Sequence, residues 1–246
     1  MTTDVVDWRP WIQVLLPVAL LLTSALVAFP GIDLGVSSLF GDAVVGFPLT
    51  ENVAIEVLRV VLLSVTGGIM LTTAAAALAG AASPALRPLI LRDALFALSS
   101  FALGPGLLVN GLVKRMSGRV RPMNVEEFGG SLPFQPAFDF SGPCGSACSF
   151  VSAETAGIAA AMMCLDLVVG PKLGRRSRTV LRTAAVSSVL AVAAIRVALG
   201  AHFVSDVVYS LLLISALVPA LHILFGMGRL SEKMQPAGQD RAQRRA

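Results

Sequence analysis

Six stretches of the chain, roughly 11–29, 54–80, 88–112, 149–169, 179–200 and 203–226, are almost continuously apolar. About 20 such residues cross a bilayer core as a helix. Backbone polar groups in hydrocarbon must be satisfied internally, which long unbroken apolar runs do as helices. The pattern therefore predicts an all-α, integral membrane bundle of six transmembrane helices. Composition agrees: 55% of the 246 residues are hydrophobic and 14% are charged, whereas soluble domains carry about 25% charged residues. The length suits one membrane domain, 1–246, with a short tail from about 229. The first run opens at Trp11 behind a segment with one basic residue, Arg9. It is long for a signal-peptide core and reads as a retained span, with cleavage as the alternative.

Charge asymmetry orients the bundle. The gap at 30–53 holds Asp33, Asp42 and Glu51 but no Lys or Arg. The gap at 170–182 holds Lys172, Arg175, Arg176, Arg178 and Arg182, and the tail adds Arg229, Lys233, Arg241, Arg244 and Arg245. Basic loops stay on the cytoplasmic side, so both termini are expected there, and the first, third and fifth connections face outward. The net charge of +4 then reflects topology rather than a nucleic-acid partner. Lys114, Arg115, Arg119, Arg121 and Arg196 break the rule, since they fall on or near the outward side. Their placement calls for another purpose. Cys144 and Cys148, in "CGSAC", lie in the third connection, on the oxidising side of a periplasm or secretory lumen. The spacing permits a small disulfide loop; two free thiols are the alternative. Cys164 is mid-span and reads as packing.

Three segments converge on the outward end under this topology. "KRMSGRVRP" sets Lys114 and Arg121 seven residues apart, with Gly118 and Pro122 marking a helix end. "FVSAET" opens the fourth span, where Ser152 suits a helix cap and free N–H groups attract anions. "RVALGAHFVSD" supplies Arg196, His202 and Asp206. With His202 and Asp206 four apart, they are expected on one helix face, the carboxylate holding one imidazole nitrogen and leaving the other as nucleophile or base. Taken singly, each feature has an ordinary explanation: snorkelling cations, a satisfied core histidine, a local cap. Together they suit a tetrahedral oxyanion, most simply phosphate.

The order Lys-x6-Arg-Pro, then Ser at a helix start, then Arg-x5-His-x3-Asp resembles the three-part signature of the type-2 phosphatidic acid phosphatase superfamily. The resemblance spans about 88–226, with the signature itself at 114–206, and the six spans fit its membrane branch rather than the soluble haloperoxidases. "CSFVS" behind a second Cys is similar to the bacterial lipid A phosphatase-like branch. The resemblance implies that His202 attacks phosphorus to form a phosphohistidine while Asp206 orients it. Lys114, Arg121 and Arg196 would hold the phosphoryl oxygens, with Ser152 and the Ala153 amide completing the cradle. The expected enzyme is a lipid phosphatase of a bacterial inner membrane, with its active site on the periplasmic face. Its partners are the membrane and a lipid phosphate or pyrophosphate such as lipid A, a polyprenyl pyrophosphate, phosphatidylglycerophosphate or phosphatidate. No metal or other cofactor is expected. A phosphoryl transferase and an inactive lipid-phosphate binder are the rival readings.

Two positions depart from the family pattern. Ile195 stands where a Ser often precedes the Arg, and Val151-Ser152-Ala153-Glu154 replaces Pro-Ser-Gly-His. Glu154 thus occupies the place of the histidine thought to protonate the leaving oxygen. Three readings stay open: Glu154 is the general acid, or a salt-bridge partner organising the cations, or the mark of a weakened enzyme. Elsewhere Glu56 and Arg59 are expected to pair within the second span, Asp166 to neutralise Arg182 or its neighbours, and His222 to be structural. The third connection, 124–142, is either an interfacial flap or an ordinary structured loop.

Overall fold

The computed structural model describes residues 6–145 and 148–229; the tail cations from Lys233 to Arg245 lie outside them. Six helices are long and apolar enough to cross a membrane: Arg9–Ala28, Val53–Ala82, Arg92–Asn124, Ala153–Lys172, Arg175–Ala198 and Val204–Leu224. The chain is an integral membrane helix bundle.

In chain order, α1 is Arg9–Ala28, and α2, a short helix in the first connection, is Gly31–Ser37. Next comes α3 at Val53–Ala82, capped where the Asn52 side chain accepts from Ala54 and Ile55 amides. The third span begins with α4 (Arg92–Phe101), continues through a wider π-helical stretch, Ala102–Val113, and ends in α5 (Lys114–Ser117). Then follow α6 (Ala153–Val168), α7 (Arg175–Ala198) and α8 (Val204–Leu224). Several expected boundaries moved; the third span, expected at 88–112, begins its α-helix at Arg92 and runs on through α5 to Ser117. α6 starts at Ala153 rather than 149 because the Ser152 hydroxyl caps it, accepting from the Thr155 amide. α7 starts earlier, at Arg175, because its arginines are good helix formers that extend the apolar run into water.

The α6 helix is the axis of the bundle and packs on α3, α4, α7 and α8. Half of its apolar window is buried inside the protein, against 6% for α1 and α3, which face lipid. Ala156, Ala159, Ala160 and Ala161 are buried along it, and such small residues let helix backbones approach closely.

The two ends of the bundle carry different chemistry. At one end Lys172 meets Asp93 at 3.4 Å, and Arg182 meets Asp166 at 3.0 Å. There too the Trp8 indole donates to His222 Nδ1, and Val6–Asp7 (β1) pairs in parallel with Gly228–Arg229 (β2). At the other end the first, third and fifth connections fold onto one another. Phe47, Val120, Val125, Phe128 and Phe203 form a buried apolar cluster there. Backbone bonds pin the third connection, including Glu126 N–H to Leu132 O and Ser149 N–H to Arg119 O. It is a packed cap with Phe138 and Phe140 exposed. Cys144 and Cys148 close a disulfide within it. Gly118 is required where α5 ends: its φ is +56°, and a Cβ would lie 2.5 Å from the Gly142 carbonyl oxygen. Gly200, with φ +61°, would drive a Cβ into the Phe47 ring.

Candidate active site

Arg196 lies in the last turn of α7, 8% exposed, and its carbonyl accepts from the amides of both Ala201 and His202. That turn, made possible by Gly200, brings His202 back beside Arg196. The imidazole is 1% exposed, and its Nδ1 lies 3.5 Å from Asp206 Oδ2. One expectation needs correction: His202 and Asp206 do not share a helix face. α8 begins at Val204, so His202 precedes it, and Asp206 sits in its first turn, where Oδ2 accepts from the Phe203 amide. That capping bond draws the carboxylate towards the helix start. The His202–Asp206 approach is within ion-pair range but lacks hydrogen-bond alignment. Burial holds the His202 imidazole below its ordinary value near 6.5, with Asp206 opposing the shift. The ring is therefore neutral at pH 7, the form a nucleophile needs.

Asp206 is fully buried, and three donors grip its carboxylate. Oδ1 accepts from Arg119 Nη1 at 2.6 Å, while Oδ2 takes the Ser149 hydroxyl and the Phe203 amide. The sequence marks Arg119 as a cation on the outward side but offers it no partner. Ser149, Asp33 and Ser205, all joined to this group, were missed; no local motif points to contacts across 57 to 172 residues.

The cations gather around the same imidazole. Lys114 lies in the field of Arg121, Arg196, Asp206 and Glu154, and both Arg196 and Lys114 act on His202. Because α5 ends at Ser117, Arg121 reaches this group from the extended segment beyond it, not from a shared helix face. Arg196 Nε is buried with no hydrogen-bond partner among the described residues. A buried charged donor left in that state costs about 1–3 kcal/mol or more, so it calls for an explanation, of which a catalytic role is one.

The helix start is adjacent. The Ser152 amide donates to Asp206 O at 3.3 Å, and the Ser210 hydroxyl donates to Ser152 O at 2.8 Å. Ser152 is completely buried, and its Oγ accepts from the Thr155 amide and hydroxyl. Its first duty is thus the cap, with its own hydroxyl proton still available. Ala153 opens α6, so its amide is among those without an intrahelical acceptor.

Glu154 is gripped by arginines. Arg59 Nε donates to Oε2 at 2.8 Å and Nη2 to Oε1 at 2.6 Å, while Arg196 Nη1 stands 3.5 Å from Oε1. The Arg59 guanidinium also reaches Glu56 at 2.6 Å, as the sequence had suggested. Its larger commitment, to Glu154 on another helix, was not foreseen. A two-bond fork of this kind binds a carboxylate, the ionised form. Among the described residues no group of three His, Cys, Asp or Glu side chains is placed to hold a metal.

Known proteins resemble this chain over much of its length. Residues 93–229 match the model of the PAP2 superfamily. A lipid A 4'-phosphatase of Rhizobium leguminosarum is 35% identical over 198 residues, covering 74% of this chain and 82% of that protein. One from Rhizobium etli is 36% identical over 197 residues, covering 73% and 74%. A lipid A 4'-phosphatase of Francisella tularensis subsp. novicida is 39% identical over 108 residues, covering 44% and 46%. No solved structure matches significantly.

Proposed function

Because the chain belongs to the PAP2 superfamily and is an integral-membrane lipid phosphatase, we propose that it removes phosphate from a lipid A-type phosphoglycolipid through a phosphohistidine on His202. The observation that carries the mechanism is a buried imidazole 3.5 Å from Asp206, with Lys114 and Arg196 acting on it. The names of the relatives support the substrate class. The charge asymmetry of the connections supports a site on the periplasmic face of a bacterial inner membrane, with both termini cytoplasmic.

In the first half-reaction the His202 Nε2 lone pair attacks phosphorus, and the bond from phosphorus to the lipid oxygen breaks. The leaving oxygen keeps that electron pair and takes a proton. Asp206 stabilises the positive imidazole that results. Water then attacks the phosphohistidine and gives up a proton to solvent; the P–N bond breaks with its electron pair returning to Nε2, and phosphate departs from the neutral imidazole. Lys114, Arg121, Arg196 and the Ala153 amide carry the phosphoryl charge throughout. Losing one such donor typically costs about 2.7–4 kcal/mol in the barrier. These side-chain cations fill the role that a metal plays in other phosphatases, so turnover is expected to survive chelators.

In this reading Glu154 is a brace rather than the acid. Its fork with Arg59 and its approach to Arg196 favour a carboxylate that aligns Arg196 and offsets part of the cradle's charge. The leaving oxygen then takes its proton from water. The test is phosphate release by purified protein, with and without chelator, from lipid A, polyprenyl pyrophosphate, phosphatidylglycerophosphate and phosphatidate. Lipid A should lose its 4'-phosphate fastest; preference for another lipid class overturns the assignment.

A further inference from the structure

We infer that Asp33 and Arg119 are positioning residues for the hydrolysis, forming a buried relay that sets the charge and place of the Asp206 carboxylate. The inference rests on His202 being the nucleophile. Arg119 is 1% exposed and Asp33 2%, deeper than any of the proposed phosphate-binding cations. Arg119 Nη1 donates to Asp206 Oδ1 at 2.6 Å and to Ser205 Oγ at 2.7 Å; Nη2 donates to Asp33 Oδ2 at 2.7 Å; Nε donates to Gln135 O at 2.9 Å. Its guanidinium carbon also lies 4.4 Å from the centre of the Phe203 ring. With four of its five N–H donors committed inside the protein and the side chain buried, Arg119 is placed to hold carboxylates rather than substrate.

The second carboxylate is the informative part. A lone Arg119–Asp206 pair would anchor α8 well enough, but it would also cancel the charge with which Asp206 supports an imidazolium. Asp33 shares the guanidinium, so the three groups keep one net negative charge next to His202. Asp33 is itself fixed by the Ser205 amide at 2.9 Å and hydroxyl at 2.6 Å. It comes from α2, outside residues 93–229, so the family signature alone does not build this part of the site. The charged groups acting on His202 are Asp206 on α8, Arg196 on α7, Lys114 on α5 and Glu154 on α6, while Arg121 beyond α5 acts on Lys114 and Arg196. Removing the Asp33 charge makes that environment one unit more positive and disfavours protonated His202.

The experiment compares pH profiles of kcat/KM on lipid A in detergent for wild type, Asp33→Asn and Asp33→Glu, with radiolabelled phosphate trapped on His202 in parallel. Asp33→Asn should lower kcat about tenfold or more with KM within about twofold. Its acidic limb should move down by about half a pH unit or more. Asp33→Glu should return the limb to the wild-type position. A fall in activity with an unmoved limb would mean a purely structural contact and overturn the relay, as would wild-type kcat. Turnover by wild type without label on His202 overturns the nucleophile and the relay together; label with an unmoved limb overturns the relay alone. Should Asp33→Asn fail to fold by gel filtration, Ser205→Ala removes the hydroxyl bridging Asp33 and Arg119. It should lose about threefold or more in kcat at unchanged KM, and unchanged kcat would contradict the relay.

Discussion

Asp206 and Glu154 are both carboxylates at helix starts, both bound by arginine, yet they live in different physical regimes. Asp206 is sealed, with Arg119 and Asp33 behind it at 1–2% exposure. Glu154 is 23% exposed, and its partner Arg59 is 22% exposed. A sealed ion group is rigid and intolerant, because removing one member strands the others in low dielectric. A half-exposed pair is softer and can yield when a phosphate competes for its cations. The contrast suits their proposed tasks: one fixes the nucleophile, the other trims the charge of the cradle.

The sharpest way to break this comparison is to remove each arginine. Arg119→Ala should destabilise the protein by about 3–5 kcal/mol, whereas Arg59→Ala should cost about 0–1 kcal/mol. Thermal unfolding in detergent would compare them, and equal losses would erase the distinction. Next in size is Arg196→Ala, which should lower kcat about 10²–10³-fold with the bundle still folded, read by phosphate release beside the same melting curve.

Glu154→Gln tests the softer site. As a brace, Glu154 should cost about tenfold in kcat/KM when neutralised, chiefly through KM, and leave the alkaline limb of the pH–rate profile in place. A limb present in wild type and absent from the Gln variant would make Glu154 the acid instead.

How far the sequence could foresee this arrangement depended on the range of each contact. The six spans were legible because a bilayer demands long apolar runs, and only their ends moved: the Ser152 cap and the α7 arginines set two of them, and the π-helical stretch carries the third span on to Ser117. The three-part signature brought out Lys114, Arg121, Ser152, Arg196, His202 and Asp206, since their spacing is local to each motif. Arg119 was visible as a cation on the wrong side of the charge rule, but its partner was not. Asp33 and Arg59 come from the first connection and the second span, and reach Arg119 and Glu154 across 86 and 95 residues. A pairing of that kind is set by tertiary packing alone. The same limit made His202 and Asp206 look like one helix face, when a cap bond starts the helix between them.

The smallest expected effect concerns pH and stability. His202 is buried neutral, with a folded pKa below its ordinary 6.5. Its contribution to stability is therefore fully present above pH 6.5 and is lost as pH falls towards the folded value. The melting temperature should drop by a few degrees on acidification below 6.5, and His202→Asn should lessen that drop. An equal drop in the variant would place the acid sensitivity elsewhere.

The most direct test of the central claim is a rapid acid-free quench during turnover of lipid A labelled at its 4'-phosphate, followed by mass spectrometry of the peptide containing His202. The account predicts a base-stable phosphoryl group on the His202 imidazole, absent from His202→Ala. Full turnover with no phosphate on His202, or with the label on another side chain, would contradict it.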